Sequence, residues 1–348
     1  MSDKEPLIPP SVTLCPLPGI EQRVHVFVDP PKAEPQQEVP TPDPIARPVD
    51  ARDAIYAALG AKRPLLVKGE PGVGKTQLAE AAATALDRLL LSVTVDSRTE
   101  SRDLLYSFDA VRRLGEAQLQ SSMPTDNPVT IQKRKEELNP LNFLVPGPLW
   151  WAFNWKSASK QAQLASGPQQ YSEAKWEAAK GAVLLIDEID KAEADVPNGL
   201  LEALGSRQFV APHGAGTIAV GPIPPLVIIT TNEERGLPDP FVRRCVVLTL
   251  RLPGNDNDEV NQPLQNFLIK RGEAHFPQCD QRILKEAARQ LVRDRFVAKR
   301  EGFTPLPGQA EYLDLVRATL ESAEEFEEQE ANLQKFSEFI LRKQGSVE

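Results

Sequence analysis

The sequence predicts an α/β protein, a parallel sheet covered by helices on both faces, followed by an all-helical C-terminal region. Three observations carry that reading. Short apolar runs at Pro64–Lys68, Leu91–Val95, Val183–Ile186, Leu226–Thr230 and Val246–Leu250 suit strands buried on both faces. Helical patterns at Thr76–Leu90 and Pro197–Leu204 fall between them, and that alternation marks a parallel sheet. After Pro253 only helical spacing remains, near Glu259–His275, Gln281–Val297 and Gln309–Arg342.

In chain order, residues 1–48 hold twelve of the 32 prolines. Proline fixes φ and removes a backbone donor, so this stretch reads as an extended arm or linker, with room for one added strand at Val24–Val28. Residues 49–253 read as the α/β domain. It opens with a short helix over Ala51–Leu59, stopped by Gly60, then a strand, a glycine cluster and the Ala-rich helix. Two polar, charged stretches, near 112–139 and 155–180, are longer than ordinary connections and read as helical insertions. Trp150, Trp151 and Trp155 stand at i, i+1 and i+5, a spacing that cannot turn all three to one core. At least one is expected at a surface or interface, unless they pin the second insertion to the sheet. Residues 254–348 read as a helical domain, and its last forty residues carry ten acids against four bases.

Composition narrows the function classes. A length of 348 residues suits two domains and a tail. The net charge of −9 argues against non-specific adhesion to nucleic acid or an anionic membrane, though not against a local basic channel. No apolar run approaches the roughly 20 residues of a membrane helix. The stretch Leu7–Leu17 is broken by Pro9, Pro10 and Pro16, so it does not read as a signal-peptide core. Cys15, Cys245 and Cys279 lie far apart without a CxxC pair, which suits a reduced, cytoplasmic chain lacking disulfides and zinc. His25, His213 and His275 are equally scattered and suggest no histidine-based site.

Four motifs carry chemistry. Gly69-Glu70-Pro71-Gly72-Val73-Gly74-Lys75-Thr76 matches G-x-x-x-x-G-K-[ST] between a strand and a helix. The glycines let successive N–H groups turn toward one anion, and the helix N-terminus adds its positive end. Lys75 supplies a point charge for β/γ-phosphates, and the Thr76 hydroxyl suits Mg²⁺. The run Val183–Ile186 then carries Asp187 and Glu188 out at a strand's C-terminal end, the edge where ligands sit in open α/β sheets. Asp187 suits the Mg²⁺ shell and Glu188 a base for water attack, although alone the pair could be a solvated turn. Val227–Thr231 ends in Asn232, which can orient that water or merely cap the turn. Arg243 and Arg244, after Leu237-Pro238-Asp239-Pro240 and before the last strand, suggest an arginine finger or a surface ion pair.

In this order the motifs resemble those of the AAA+ ATPases, and within them the MoxR-like, dynein-related group. Phe143-Leu144-Val145-Pro146-Gly147-Pro148-Leu149-Trp150 is similar to the family's F-x-x-G-P-[LI] element with one added residue. Asp187-Glu188-Ile189-Asp190-Lys191-Ala192 resembles its DEI-x-[RK]-A run, and Leu200–Leu204 with Ser206–Val210 its LLEAM helix and following hairpin. The resemblance implies a P-loop AAA+ core with a parallel five-stranded sheet and a C-terminal helical lid. It implies ATP bound by Glu70, Pro71, Gly72, Val73, Gly74, Lys75, Thr76 and Gln77, with Mg²⁺ held by Thr76 and Asp187. Glu188 becomes the base, Asn232 sensor 1, and Arg244 the finger with Arg243 as alternate. The family's S-P-R-A sensor 2 is replaced by Leu306-Pro307-Gly308-Gln309-Ala310, so Gln309 stands where arginine is expected and Arg300 or Arg317 could serve instead. The implied activity is chaperone-like remodelling of a protein client, such as a von Willebrand A-domain protein, by a ring expected to be a hexamer. No membrane or nucleic-acid partner is expected. The alternative is a nucleic-acid-linked motor, either a McrB-like GTPase or a DNA-remodelling AAA+ protein. It calls for a basic run with interleaved aromatics, and the sequence has none.

Overall fold

The computed structural model describes residues 15–16, 24–25, 51–123, 127–165 and 180–342. Two compact units cut across chain order. One gathers Met1–Arg52, Lys68–Ala81 and Thr249–Glu348, and the other Asp53–Val67 and Ala82–Leu248. Of the arm, β1 (Cys15–Pro16) and β2 (Val24–His25) pair antiparallel, and the rest lies outside the described residues, as do positions 166–179 of the second insertion.

After α1 (Ala51–Ala61), β3 (Leu65–Gly69) leads into α2 (Lys75–Ala85) and β4 (Leu89–Thr94). The helix expected to reach Leu90 stops at Ala85. Asp87 there takes the left-handed conformation, φ +54°, and Leu89 and Leu90 enter the sheet instead. A hairpin of β5 (Tyr106–Phe108) and β6 (Leu144–Pro146) brackets α3 (Ala110–Ser121) and α4 (Pro128–Glu137). Then come α5 (Pro148–Phe153), α6 (Trp155–Leu164), β7 (Ala182–Asp187) and α7 (Asp195–Ser206). The hairpin of β8 (Gln208–Ala211) and β9 (Gly216–Ala219) precedes β10 (Leu226–Thr231), α8 (Asp239–Val242) and β11 (Val246–Leu250). The five-stranded parallel sheet runs β11-β3-β10-β7-β4. Its central strands are buried through Val183–Ile186 and Leu226–Thr231, as continuous apolar runs require.

Of the two tryptophan readings, the surface or interface one fails, and the burial agrees with the other, in which they pin the second insertion. Trp150, Trp151 and Trp155 are 1%, 2% and 4% exposed. All six residues of α5 are buried, so both of its faces find partners, and the chain turns at Asn154 before Trp155 begins α6. Trp150 meets Phe209 edge-on with ring centres 5.9 Å apart, and its indole N–H donates to Ser157 Oγ at 3.1 Å. Trp151 meets Trp155 at 4.7 Å. A helix enclosed all round has no outward side for an aromatic to occupy.

The C-terminal helices are α9 (Gln262–His275), α10 (Gln281–Glu301), α11 (Gln309–Ser322) and α12 (Phe326–Ile340). The periodic stretch from Gln309 onward is thus two helices, parted where Ala323 is extended. Leu268, Leu284, Leu291, Tyr312, Val316 and Leu333 build their common core. Among the described residues, no helix is long and apolar enough to cross a membrane.

Candidate functional site

The phosphate-binding motif occupies the turn from β3 into α2. Gly72 and Gly74 hold φ of +75° and +96°, a region closed to most side chains, which lets the loop close over its own backbone. Lys75 is the first residue of α2 and only 7% exposed. Its ammonium donates to the carbonyls of Gly69 at 2.7 Å and Glu70 at 2.8 Å, so the loop itself positions the charge. Thr76 is exposed and Gln77 half-buried on the same turn. Pro71 is exposed, and Val73 packs under Gly69. The Glu70 side chain turns to Arg295 Nη2 at 2.7 Å, in the same compact unit. Gln309 is buried beside Gly74, and the following Ala310 N–H donates to Gly72 O at 3.2 Å. Arg317, by contrast, pairs with Asp314, and Arg300 is exposed. The arginine that meets the loop is Arg295.

The acidic pair lies in the other unit, at the C-terminal end of β7. Parallel register sets Ile229 of β10 against Ile186, which brings Thr230 beside Asp187, and the Asn232 side chain, just past the strand, reaches Glu188. The Thr230 hydroxyl donates to Asp187 Oδ1 and accepts from the Glu188 N–H at 2.9 Å. Glu188 adopts left-handed backbone angles, φ 59° and ψ 46°, which swing its carboxylate off the strand line. One carboxylate oxygen accepts from Asn232 Nδ2 at 3.4 Å, the other from Lys191 Nζ at 2.7 Å. That hydrogen bond to Glu188 raises the Lys191 ammonium above its ordinary value.

Asp190, 2% exposed, accepts the backbone N–H groups of Asn232 at 3.1 Å and Glu234 at 3.0 Å, holding the loop after β10. Asp190→Ala is expected to lower stability by about 1–3 kcal/mol, because both donors lose their acceptor. Chemical denaturation checks it, and an unchanged midpoint would remove this role.

Arg243 and Arg244 follow α8, both exposed, with Arg244 Nη1 donating to Pro240 O at 3.3 Å. Arg244 lines a pocket of about 400 Å³ together with Lys62, Arg63, Arg207 and Cys245. Among the described residues none of these four cations has an ion-pair partner. Four unpaired positive charges round one hollow attract an anion. Burial pushes the Cys245 thiol up to about 12, so it stays protonated and inert.

Among the described residues no group of three or more His, Cys, Asp or Glu could hold a metal by itself. The Thr76 hydroxyl and Asp187 carboxylate are hard oxygen donors, and Mg²⁺ commonly takes one or two such ligands alongside substrate phosphates and water. The donor chemistry therefore fits. Sequence reading missed Thr230, Asp190 and Arg295. Thr230 and Asp190 stood inside quoted motifs, whereas Arg295 carried no motif at all.

The sequence model of the AAA domain, dynein-related subfamily, matches residues 64–266. Curated proteins give no match. Two solved mutants of Thermotoga maritima RuvB are similar at a distance. One has 14% identity and a TM-score of 0.41 over 82% of this chain and 69% of that one. The other has 15% identity and a TM-score of 0.38 over 82% and 66%. Likenesses so remote carry no weight for function.

Proposed function

This chain belongs to the dynein-related subfamily of AAA domains, and from that premise we propose that it is a Mg²⁺-dependent ATPase, working as an oligomeric, MoxR-like remodeller of a protein client. The observation that carries the chemistry is Glu188, presented off β7 and bonded to Asn232 at the end of the neighbouring strand. A carboxylate and an amide so paired can share one water, the carboxylate taking its proton and the amide fixing its direction. Lys75 and the N–H groups of the Gly72–Thr76 turn bind the β/γ-phosphates. On this reading both groups serve one nucleotide. Thr76 and Asp187 would hold Mg²⁺, which supplies charge neutralisation on the phosphate oxygens when bound. Lys191 pairs with the Glu188 carboxylate and so helps to fix its position. The scattered cysteines favour a reducing cytoplasm, and a von Willebrand A-domain protein is the client class the reading favours.

The unpaired cations around Arg244 support completion of the site by a neighbouring copy in a ring, expected to be a hexamer. Arg244→Ala is then expected to lower kcat by on the order of 10²-fold, less than the 10³–10⁵ of GTPase fingers because other groups share the charge. Arg243→Ala should hurt less, since Arg243 does not line the pocket. Specific ATPase activity should rise with protein concentration. Mixing Lys75→Ala chains with Arg244→Ala chains should restore part of it. Concentration-independent turnover with no recovery on mixing would mean that each chain works alone.

A further inference from the structure

Arg295 is a long way from any motif, yet it is among the most completely buried large side chains, 2% exposed. Its three nitrogens are all engaged. Nε and Nη2 grip Asp256 at 2.8 and 3.0 Å, Nη1 donates to Pro307 O at 3.0 Å, and Nη2 also reaches Glu70 at 2.7 Å. One guanidinium therefore ties the segment after β11, the turn before α11 and the phosphate-binding loop. These arms differ in exposure. Asp256 is 20% exposed and Lys299 adds a second cation to it at 3.7 Å, whereas the Glu70 carboxylate is 53% exposed. Arg295 also holds the Asp256 carboxyl below the usual carboxylate range. The Asp256 arm is a fixture. The Glu70 arm, open to water and to salt, can break and re-form without unfolding anything.

We propose that Arg295 is a positioning residue for nucleotide exchange, holding the phosphate-binding loop to the helical domain through Glu70, so that release of this one arm loosens the loop and lets product leave. This rests on the ATPase reading above. Beside the arm, the backbone bond from Ala310 to Gly72 and the close approaches of Gln309 to Gly74, Glu311 to Gly72 and Gly308 to Pro71 also join these two pieces. The Glu70 carboxylate is the exposed, ion-paired part of the junction, open to water. It also gives Glu70 a role other than touching nucleotide with its side chain.

The test measures release of mant-ADP by stopped flow and amide hydrogen exchange in the nucleotide-free full chain. Glu70→Gln keeps shape and touches only the exposed arm. It is expected to speed mant-ADP release about tenfold, the loss of one charge-assisted bond. Exchange over residues 70–74 and 306–312 should rise, with an unchanged melting temperature. Arg295→Gln should also speed release and raise exchange, with a lower melting temperature because it cuts the Asp256 and Pro307 bonds too. The double variant should release no faster than Arg295→Gln alone, because the Glu70 link is already gone. If Arg295→Gln fails to fold, Glu70→Gln still decides. Unchanged release and exchange in Glu70→Gln, or rates that multiply in the double variant, would overturn the proposal. Parent chain that binds no mant-ADP would instead overturn the ATPase reading, while the exchange measurement still reports on the latch.

Discussion

Glu188→Gln is expected to bind ATP at least as tightly as the parent chain and to turn it over about 10²–10⁴-fold more slowly, the usual worth of a positioned base. The amide keeps the length and planarity of the carboxylate, so the contact with Asn232 and the left-handed backbone can persist. Only basicity and the pairing with Lys191 are lost, and that pair is partly exposed and adds little stability. Binding should hold or improve, since the substitution removes one negative charge and ATP is a polyanion. Single-turnover hydrolysis alongside calorimetric titration separates the two quantities. Undiminished turnover would show that another group takes the proton.

Lys75→Ala should weaken ATP binding by at least about 10²-fold while leaving the fold in place. Truncating one member of a buried, charge-assisted contact costs about 2–5 kcal/mol. The ammonium sits at the loop mouth on two carbonyls that can turn to water when it is removed, so the structural loss is local. The α2 core residues Leu78, Ala79 and Ala82 remain buried without it. Calorimetry checks affinity and circular dichroism the fold. Equal ATP affinity in the two proteins would sink the assignment.

Much of this architecture was legible because it is local. The strand–glycine loop–helix unit announces itself by residue type, and the buried strands by uninterrupted apolar runs. Glu188 and Asn232 were legible as a pair because each ends a parallel strand, and parallel register brings such ends together. What depends on distant partners was hidden. Arg295 and Glu70 are 225 positions apart, and nothing in the composition around either marks the other. The surface reading of the tryptophans failed for a related reason. Helical spacing assumes one outward face, and α5 has none. The premature end of α2 at Ala85 has the same root, since the strand that claims Leu89 and Leu90 gains its partners from β7.

The compact unit that holds Lys68–Ala81 is completed only by Thr249–Glu348. A ribosome adds about 5–20 residues per second, so the phosphate motif waits roughly 10–45 s before Arg295 has been synthesised. Throughout that interval the nascent chain carries every residue of the motif but not the surface on which the loop settles. The other unit, Asp53–Val67 with Ala82–Leu248, is finished first. A stall in translation between the two would therefore leave a polypeptide with an assembled acidic edge and an unseated phosphate loop.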